Sequence, residues 1–342
     1  TAAGKKTVLG LATGSTPETV VVKSILPHTG AVLTPWGAGD SNAAPPWALP
    51  VFEWPVRSFG PTVQTQDSSM DSHSPSPSPP ASSGARLLQR ARELDPLFRA
   101  QAPLNEAAGR LTDASFAALR DNGFLRAFVP TCLGGGEINT LEALEIIEAL
   151  CLADGSTGWV QMAAGVCTGL AGACLPPEGA KELFGTSTPI IAGQGAPNGQ
   201  AHVARGEDGR AGFRLSGHWS YGSGVLHSTH LHTGAIVMEN GAPRQRADGS
   251  GPEIRTFIVP TARARLEGNW EVMGLRATGS VNYSLDDVFV PEEHTHAPEA
   301  LRRNQGGNVY SIGIIGMTSI GHTGFIIGAG RRMLDELATF VS

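Results

Sequence analysis

Cysteine is sparse in this chain, with four residues in 342, at Cys132, Cys151, Cys167 and Cys174. No two of them form a Cys-x-x-Cys pair. A disulfide framework and a structural zinc site are therefore not expected, and reduced thiols in a cytoplasmic protein are. Charge is scarce too. It falls on 16% of residues and nets −6, against about a quarter charged in an ordinary soluble domain. Without a basic stripe to release counterions from phosphates, nucleic acid is not an expected partner. Histidine is missing from 74 to 201. Long apolar runs are few. The one membrane-like stretch, 311–330, carries six Gly and His322 and is followed by Arg331 and Arg332. A tightly packed helix of a soluble protein is expected there rather than a bilayer crossing. No secretory signal is visible, because Pro17 breaks the apolar run after Lys5-Lys6.

What the chain has in quantity is glycine, 44 residues, and proline, 24. Glycine shows no three-residue period, which excludes collagen. Twelve of the prolines lie in the first 85 residues, several in Ser74-Pro75-Ser76-Pro77-Ser78-Pro79-Pro80, a run that cannot build a core. Residues 1–85 read as an irregular N-terminal segment, with 71–85 a linker or tail and Met70 a candidate start of the organised chain. Inside it, Val8-Leu9-Gly10-Leu11-Ala12-Thr13-Gly14-Ser15-Thr16-Pro17 reads as a strand entering a turn whose N–H groups and hydroxyls suit a phosphate. That island resembles the sugar-phosphate loop of glucosamine-6-phosphate deaminases, or is an unrelated stretch.

Residues 86–187 read as a helical domain. Leu87, Leu88, Ala91, Leu94 and Leu97 follow helical spacing over 86–100. Thr112 caps a helix that Gly123 stops. Asn139 or Thr140 opens another, with Leu141, Leu144, Ile147 and Cys151 on one face and Glu142, Glu145 and Glu148 on a solvated one. A Gly/Ala-rich helix over 156–174 ends at Pro176-Pro177, and 178–184 forms a short one. Residues 188–300 read as a β domain, a small barrel or sandwich. Its strands are expected at 189–192, 201–205, 212–216, 231–239, 254–259 and 281–290, with Asp208-Gly209 as a hairpin turn. Residues 301–342 read as the first helix of a further helical domain. The fold class is α+β.

Three local sequences carry a resemblance. They are Ala153-Asp154-Gly155-Ser156-Thr157-Gly158-Trp159-Val160, then Leu215-Ser216-Gly217-His218-Trp219-Ser220-Tyr221-Gly222-Ser223-Gly224 followed by His227, then Met273-Gly274-Leu275-Arg276-Ala277-Thr278-Gly279-Ser280 leading to Val288-Phe289-Val290-Pro291-Glu292. In this order they resemble the acyl-CoA dehydrogenase superfamily. The nearest type is the reduced-flavin-dependent two-component monooxygenases, such as the oxygenase components of phenol and 4-hydroxyphenylacetate hydroxylases. The resemblance spans about three quarters of the chain, 86–342. It implies a helical domain, a central β-barrel and a C-terminal helical bundle, of which the chain is expected to hold only the start.

It also implies a cofactor, reduced FMN or FAD, and partners: dioxygen, a small-molecule substrate, a separate flavin reductase and further copies in a homotetramer. An isoalloxazine ring wants an aromatic wall and polar partners at its edges. By the resemblance Trp219 and Ser220 supply these. Gly193, Gln194 and Gly195 hold the pyrimidine through backbone groups, and Arg276 and Thr278 meet the cofactor phosphates. Ser223 is the candidate to hydrogen-bond a flavin–oxygen adduct or a phenolate. Of His227, His230 and His232, the last two share a strand face and the first does not. No nearby carboxylate or Cys completes a metal site, so acid–base work near a phenol is the expectation, with His227 foremost. Phenol-hydroxylating relatives place a catalytic His on the helix after the Gly-Trp pair, where this chain offers Cys167. Acyl-CoA dehydrogenation is the alternative activity, although no catalytic Glu is assignable. A non-catalytic fragment is the third reading.

Overall fold

The computed structural model describes residues 82–185, 187–298 and 303–342. The readings placed on 8–17, on Met70 and on the linker before residue 82 lie outside these residues. The first described helix, α1, spans Ser83–Glu93, and Ser82 caps it by accepting from Ala85 N at 3.0 Å. The apolar spacing of 86–100 predicts one helix, yet the chain breaks at Leu94. Asp95 and Pro96 start a separate helix, α2 (Asp95–Ala108), because proline suits a first turn and breaks an interior. Helix α3 (Asp113–Asp121) is capped by Thr112 and followed by Gly123 at φ 82°. Helix α4 (Thr140–Ala153) begins with a full capping box between Asn139 and Glu142. Helix α5 (Gly155–Cys174) is capped by Asp154, and α6 is Pro177–Phe184.

The strands are β1 (Ile191–Arg205), β2 (Ala211–Gly222), β3 (His230–Glu239), β4 (Ala242–Pro243), β5 (Ile254–Pro260), β6 (Arg265–Leu266), β7 (Val281–Pro291) and β8 (Thr295–His296). They form one sheet in the order β6-β7-β2-β1-β3-β5-β8, with β4 pairing β3. All pairs are antiparallel except β1 with β3. The Asp208-Gly209 turn joins β1 to β2 as expected, with Arg205 opposite Ala211. The expected closure into a barrel is not found. The path ends on two-residue strands, β6 and β8, which do not pair with each other.

The last helix, α7 (Gly313–Val341), lies along α4 and α5. Its Gly321, Gly324 and Gly328 sit against Met162, Ile147 and Cys151, so small residues bring the backbones together. By length and composition α7 could cross a bilayer. Its packing on α4 also corrects the solvated reading of the glutamates. Glu142, Glu145 and Glu148 are half-buried, and Glu148 pairs with Arg331 of α7. Helix α5 is buried around nearly its whole circumference and separates the helical layer from the sheet. Asn304 and Gln305 donate to the carbonyls of Gly172, Cys174 and Leu175, which have no helical partner of their own. This ties the entry to α7 onto the end of α5.

Candidate functional site

The site is built where β1 leaves its ladder. Gly193 has φ 149°, and a Cβ there would run into the His232 carbonyl, so only glycine sits at this step without strain. Between Gln194 and Gly199 the pairing with β3 slips. The freed segment is held from behind. Gln194 N donates to the Tyr283 hydroxyl at 2.9 Å, Ala196 N donates to Gln194 Oε1 at 3.2 Å, and Trp219 Nε1 donates to the Ala196 carbonyl at 3.1 Å. On its other side the segment walls a cavity of about 360 Å³. Small-molecule sites run from about 300 to 1,000 Å³. Leu170 of α5 and Ile314 and Ile315 of α7 give it apolar sides, and His232 and His296 give it polar ones.

Those two histidines belong to β3 and β8, joined through β5, where Thr256 sits opposite His296. They are 2% and 7% exposed, with ring centroids 6.1 Å apart. Burial lowers His232 to about 3, helped by the neighbouring His296. Burial likewise lowers His296 to about 4. Both rings are therefore neutral at pH 7. His296 Nδ1 lies 2.9 Å from the Ala297 carbonyl, which can only accept, so Nδ1 carries the proton and Nε2 a bare lone pair. His296 Nε2 and His232 Nδ1 are both buried without a partner. Each such atom costs about 1–3 kcal/mol, and neither has surface open to the cavity.

The residues singled out from sequence fall into separate places. Gln194 and Gly195 line the cavity, and Gly193 shapes the step into it. Trp219 does not form an aromatic wall. It is 0% exposed, stacks on Tyr283 at 5.5 Å, and gives its Nε1 proton to the carbonyls of Ala196 and Gly234. It is sealed because Gly199 and Gly217 leave its ring room inside the sheet. Ser220 is half-buried and Arg276 is exposed. Thr278 is 2% exposed and donates to the Leu275 carbonyl, so its hydroxyl does not face a phosphate. His227 is stacked on Phe116 of α3 at 4.5 Å and lowered by burial to about 4. It lies outside the cavity lining, so an acid–base role there is not supported. Cys167, on α5, is raised by burial to about 12 and is no substitute for a histidine.

Ser223 belongs to a chain of hydroxyls whose polarity can be read. Thr278 Oγ1 gives its proton to a carbonyl, so it accepts from Ser280 at 2.7 Å. Ser280 then accepts from Ser223 at 2.8 Å, and Ser223 accepts from Trp159 Nε1 at 3.0 Å. The Ser223 proton is thus committed inward, and toward a ligand this hydroxyl acts as an acceptor. Trp159 also packs edge-on against Phe325 of α7 at 4.9 Å. Sequence reasoning weighs His232 as a metal ligand and as an acid–base group, places His227 ahead of it, and misses His296. His230 and His232 share a face of β3, whereas His294 lies in the turn before β8 and only His296 is on that strand. Among the described residues no group of three or more His, Cys, Asp or Glu is placed to hold a metal ion.

No family model matches the chain. It is 30% identical over 205 residues to the flavin-dependent monooxygenase oxygenase subunit HsaA of Rhodococcus jostii, covering 60% of this chain and 50% of that protein. It is 30% identical over 243 residues to the oxygenase component of an FADH2-dependent resorcinol hydroxylase of Rhizobium sp., covering 70% of this chain and 56% of that one. Among solved structures, the 3-HSA hydroxylase of Rhodococcus sp. RHA1 matches with a TM-score of 0.63 at 28% identity, over 73% of this chain and 63% of that chain. The chain spans about half the length of the curated relatives it matches. It is homologous to the oxygenase components of flavin-dependent monooxygenases, and helices around one sheet are the architecture it shares with acyl-CoA dehydrogenase-fold members of that group.

Proposed function

We propose that this chain is the oxygenase component of a two-component monooxygenase that uses reduced FMN or FAD, delivered by a separate flavin reductase, and dioxygen to oxidise an aromatic or heteroatom substrate. Homology to oxygenase components supports the class of reaction. The observation that carries it to this chain is the cavity beside Gln194 and Gly195. Its residues fit an isoalloxazine. Leu170, Ile314 and Ile315 would meet the faces of such a ring, and the backbone at Gln194–Ala196 would meet its polar edge. At about 360 Å³ the cavity falls within the size range of small-molecule sites.

The flavin supplies the redox chemistry and the activation of oxygen. The chain supplies the rest. The segment at Gln194–Ala196, braced by Tyr283 and Trp219, would orient the ring edge. Leu170, Ile314 and Ile315 keep water away from it. The exposed guanidinium of Arg276 is available to a phosphate. Assembly into a homo-oligomer, such as a tetramer, and a cytoplasmic location complete the reading. Anaerobic titration with reduced FMN and reduced FAD, followed by admission of oxygen with an aromatic substrate, tests it. Saturable binding of reduced flavin, with oxygen uptake only when reduced flavin is supplied, is the expected result. A tightly held oxidised flavin that an acyl-CoA bleaches would instead show dehydrogenation and overturn it.

A further inference from the structure

The chain nets −6, yet three arginines share one hollow between α1 and the loop that follows α3. Its volume is about 460 Å³, and it has no lining residue in common with the cavity at Gln194. Arg86, Arg90 and Arg126 line it, and among the described residues no Asp or Glu does. Neutral groups set two of these guanidiniums. Asn122 Oδ1 accepts from Arg90 Nε at 2.7 Å, and the Gly134 carbonyl accepts from Arg126 Nη2 at 2.6 Å. A Cβ on Gly134 would lie 2.7 Å from that Nη2, so the missing side chain gives the guanidinium its place. Arg90 also pairs with Glu93 at 2.7 Å, but the two side chains are 50% and 45% exposed, so water screens the pair. Arg126 bonds to carbonyls and to no carboxylate among the described residues. Its Nε is sealed and its Nη2 is taken, which leaves Nη1 for a ligand. Ser83 accepts from Arg86 Nη2 at 3.2 Å and so keeps its own proton to give.

Like charges gathered on one wall repel each other, and an anion placed between them turns that repulsion into attraction. Planar guanidiniums match phosphoryl oxygens, each of which accepts more than one donor. We propose that this hollow binds a phosphate ester, with Arg90, Arg126 and Ser83 donating to the phosphoryl oxygens. The volume lies in the range of small-molecule sites, so the organic part of the ester fits beside Leu87. The site is separate from the flavin cavity and does not depend on the oxygenase reading.

Calorimetry of the full chain with glycerol 3-phosphate, and with glycerol as the uncharged control, tests it. The ester is expected to bind one-to-one and saturably, more weakly as salt is raised, and glycerol not at all. Arg90→Gln and Arg126→Gln each weaken the ester by about tenfold. Arg90 is half exposed, so its variant keeps the test independent of whether Arg126→Gln folds. Arg276→Gln removes the same charge from the guanidinium offered above to the cofactor phosphate, and it leaves the ester bound as before. Equal weakening by Arg276→Gln and Arg90→Gln would mean that net charge or the cofactor's own contact attracts the ester, and it overturns the assignment. Absence of saturation by the ester, or an affinity that Arg90→Gln leaves unchanged, overturns it too.

Discussion

Replacing Gly199 by alanine puts a methyl group 2.5 Å from Trp219 Cζ2 and 3.1 Å from Ala235 Cβ, both in residues with no exposed surface. Neither neighbour can swing aside. The indole is also stacked on Tyr283 and tied by Nε1 to the carbonyls of Ala196 at 3.1 Å and Gly234 at 2.9 Å. Overpacking of this kind costs about 1–3 kcal/mol. Trp219→Phe costs a similar amount by a different route, since it leaves buried carbonyls short of a donor, roughly 1–3 kcal/mol. In the double variant the smaller ring vacates the space that the new methyl needs. The two losses then overlap, with a coupling on the order of 1–2 kcal/mol in favour of the double variant. Urea unfolding followed by far-UV circular dichroism measures all four corners of the cycle, and an unchanged denaturant slope confirms that the same transition is compared. Additivity within about 0.5 kcal/mol would falsify the packing argument. The indole would then not be wedged over Gly199, and its reading as a wall open to a ligand would return.

Acid should weaken the fold. A histidine held neutral inside binds fewer protons than its unfolded counterpart once the pH falls below about 6.5, so stability is full above that value and declines as the pH drops toward the folded values of about 3 for His232 and about 4 for His296. At pH 5 one such group costs roughly 2 kcal/mol, and His296→Gln should flatten the decline by about one proton; a flat stability profile between pH 7 and 5 contradicts the burial argument. Ser223→Ala removes the acceptor for Trp159 Nε1 and the donor to Ser280, and chemical denaturation should show a loss of about 1–2 kcal/mol, with Ser223→Thr restoring most of it. Gly328→Ala sets a methyl 2.8 Å from Cys151 Cβ and against the Glu148 carbonyl. Its melting temperature should fall although alanine favours helix, and a rise would mean that α7 does not press on α4 there.

Local signals in the sequence carry the elements well, and non-local ones carry the site poorly. The Asn139–Glu142 capping box, the Thr112 cap and the Asp208-Gly209 turn each depend on residues within four positions, so they are legible in the sequence alone. The break at Leu94 is legible too, in Asp95-Pro96, although the apolar spacing runs on across it and masks the proline. The fate of Trp219 is not. The motif around it marks an aromatic residue at the end of a strand. Whether that ring faces a ligand or the interior depends on Gly199, Ala196, Gly234 and Tyr283, which lie 15 to 64 positions away. His296 is hidden for the same reason. Its cavity neighbours come from β3, β5 and α7, and nothing beside it in sequence marks it as more than a turn residue. The number of strands suggests a closed sheet, while the two-residue strands at its ends decide against closure.

Helix α7 has a practical consequence for anyone handling this protein. Ile326, Met333, Leu334, Leu337 and Phe340 are open to water, Phe340 at 88%. A greasy stripe of that length adheres to plastic, detergent micelles, liposomes and other copies of itself without discrimination. Co-sedimentation with lipid or retention on a hydrophobic column would therefore report the stripe alone, and would carry no information about where in a cell the molecule works.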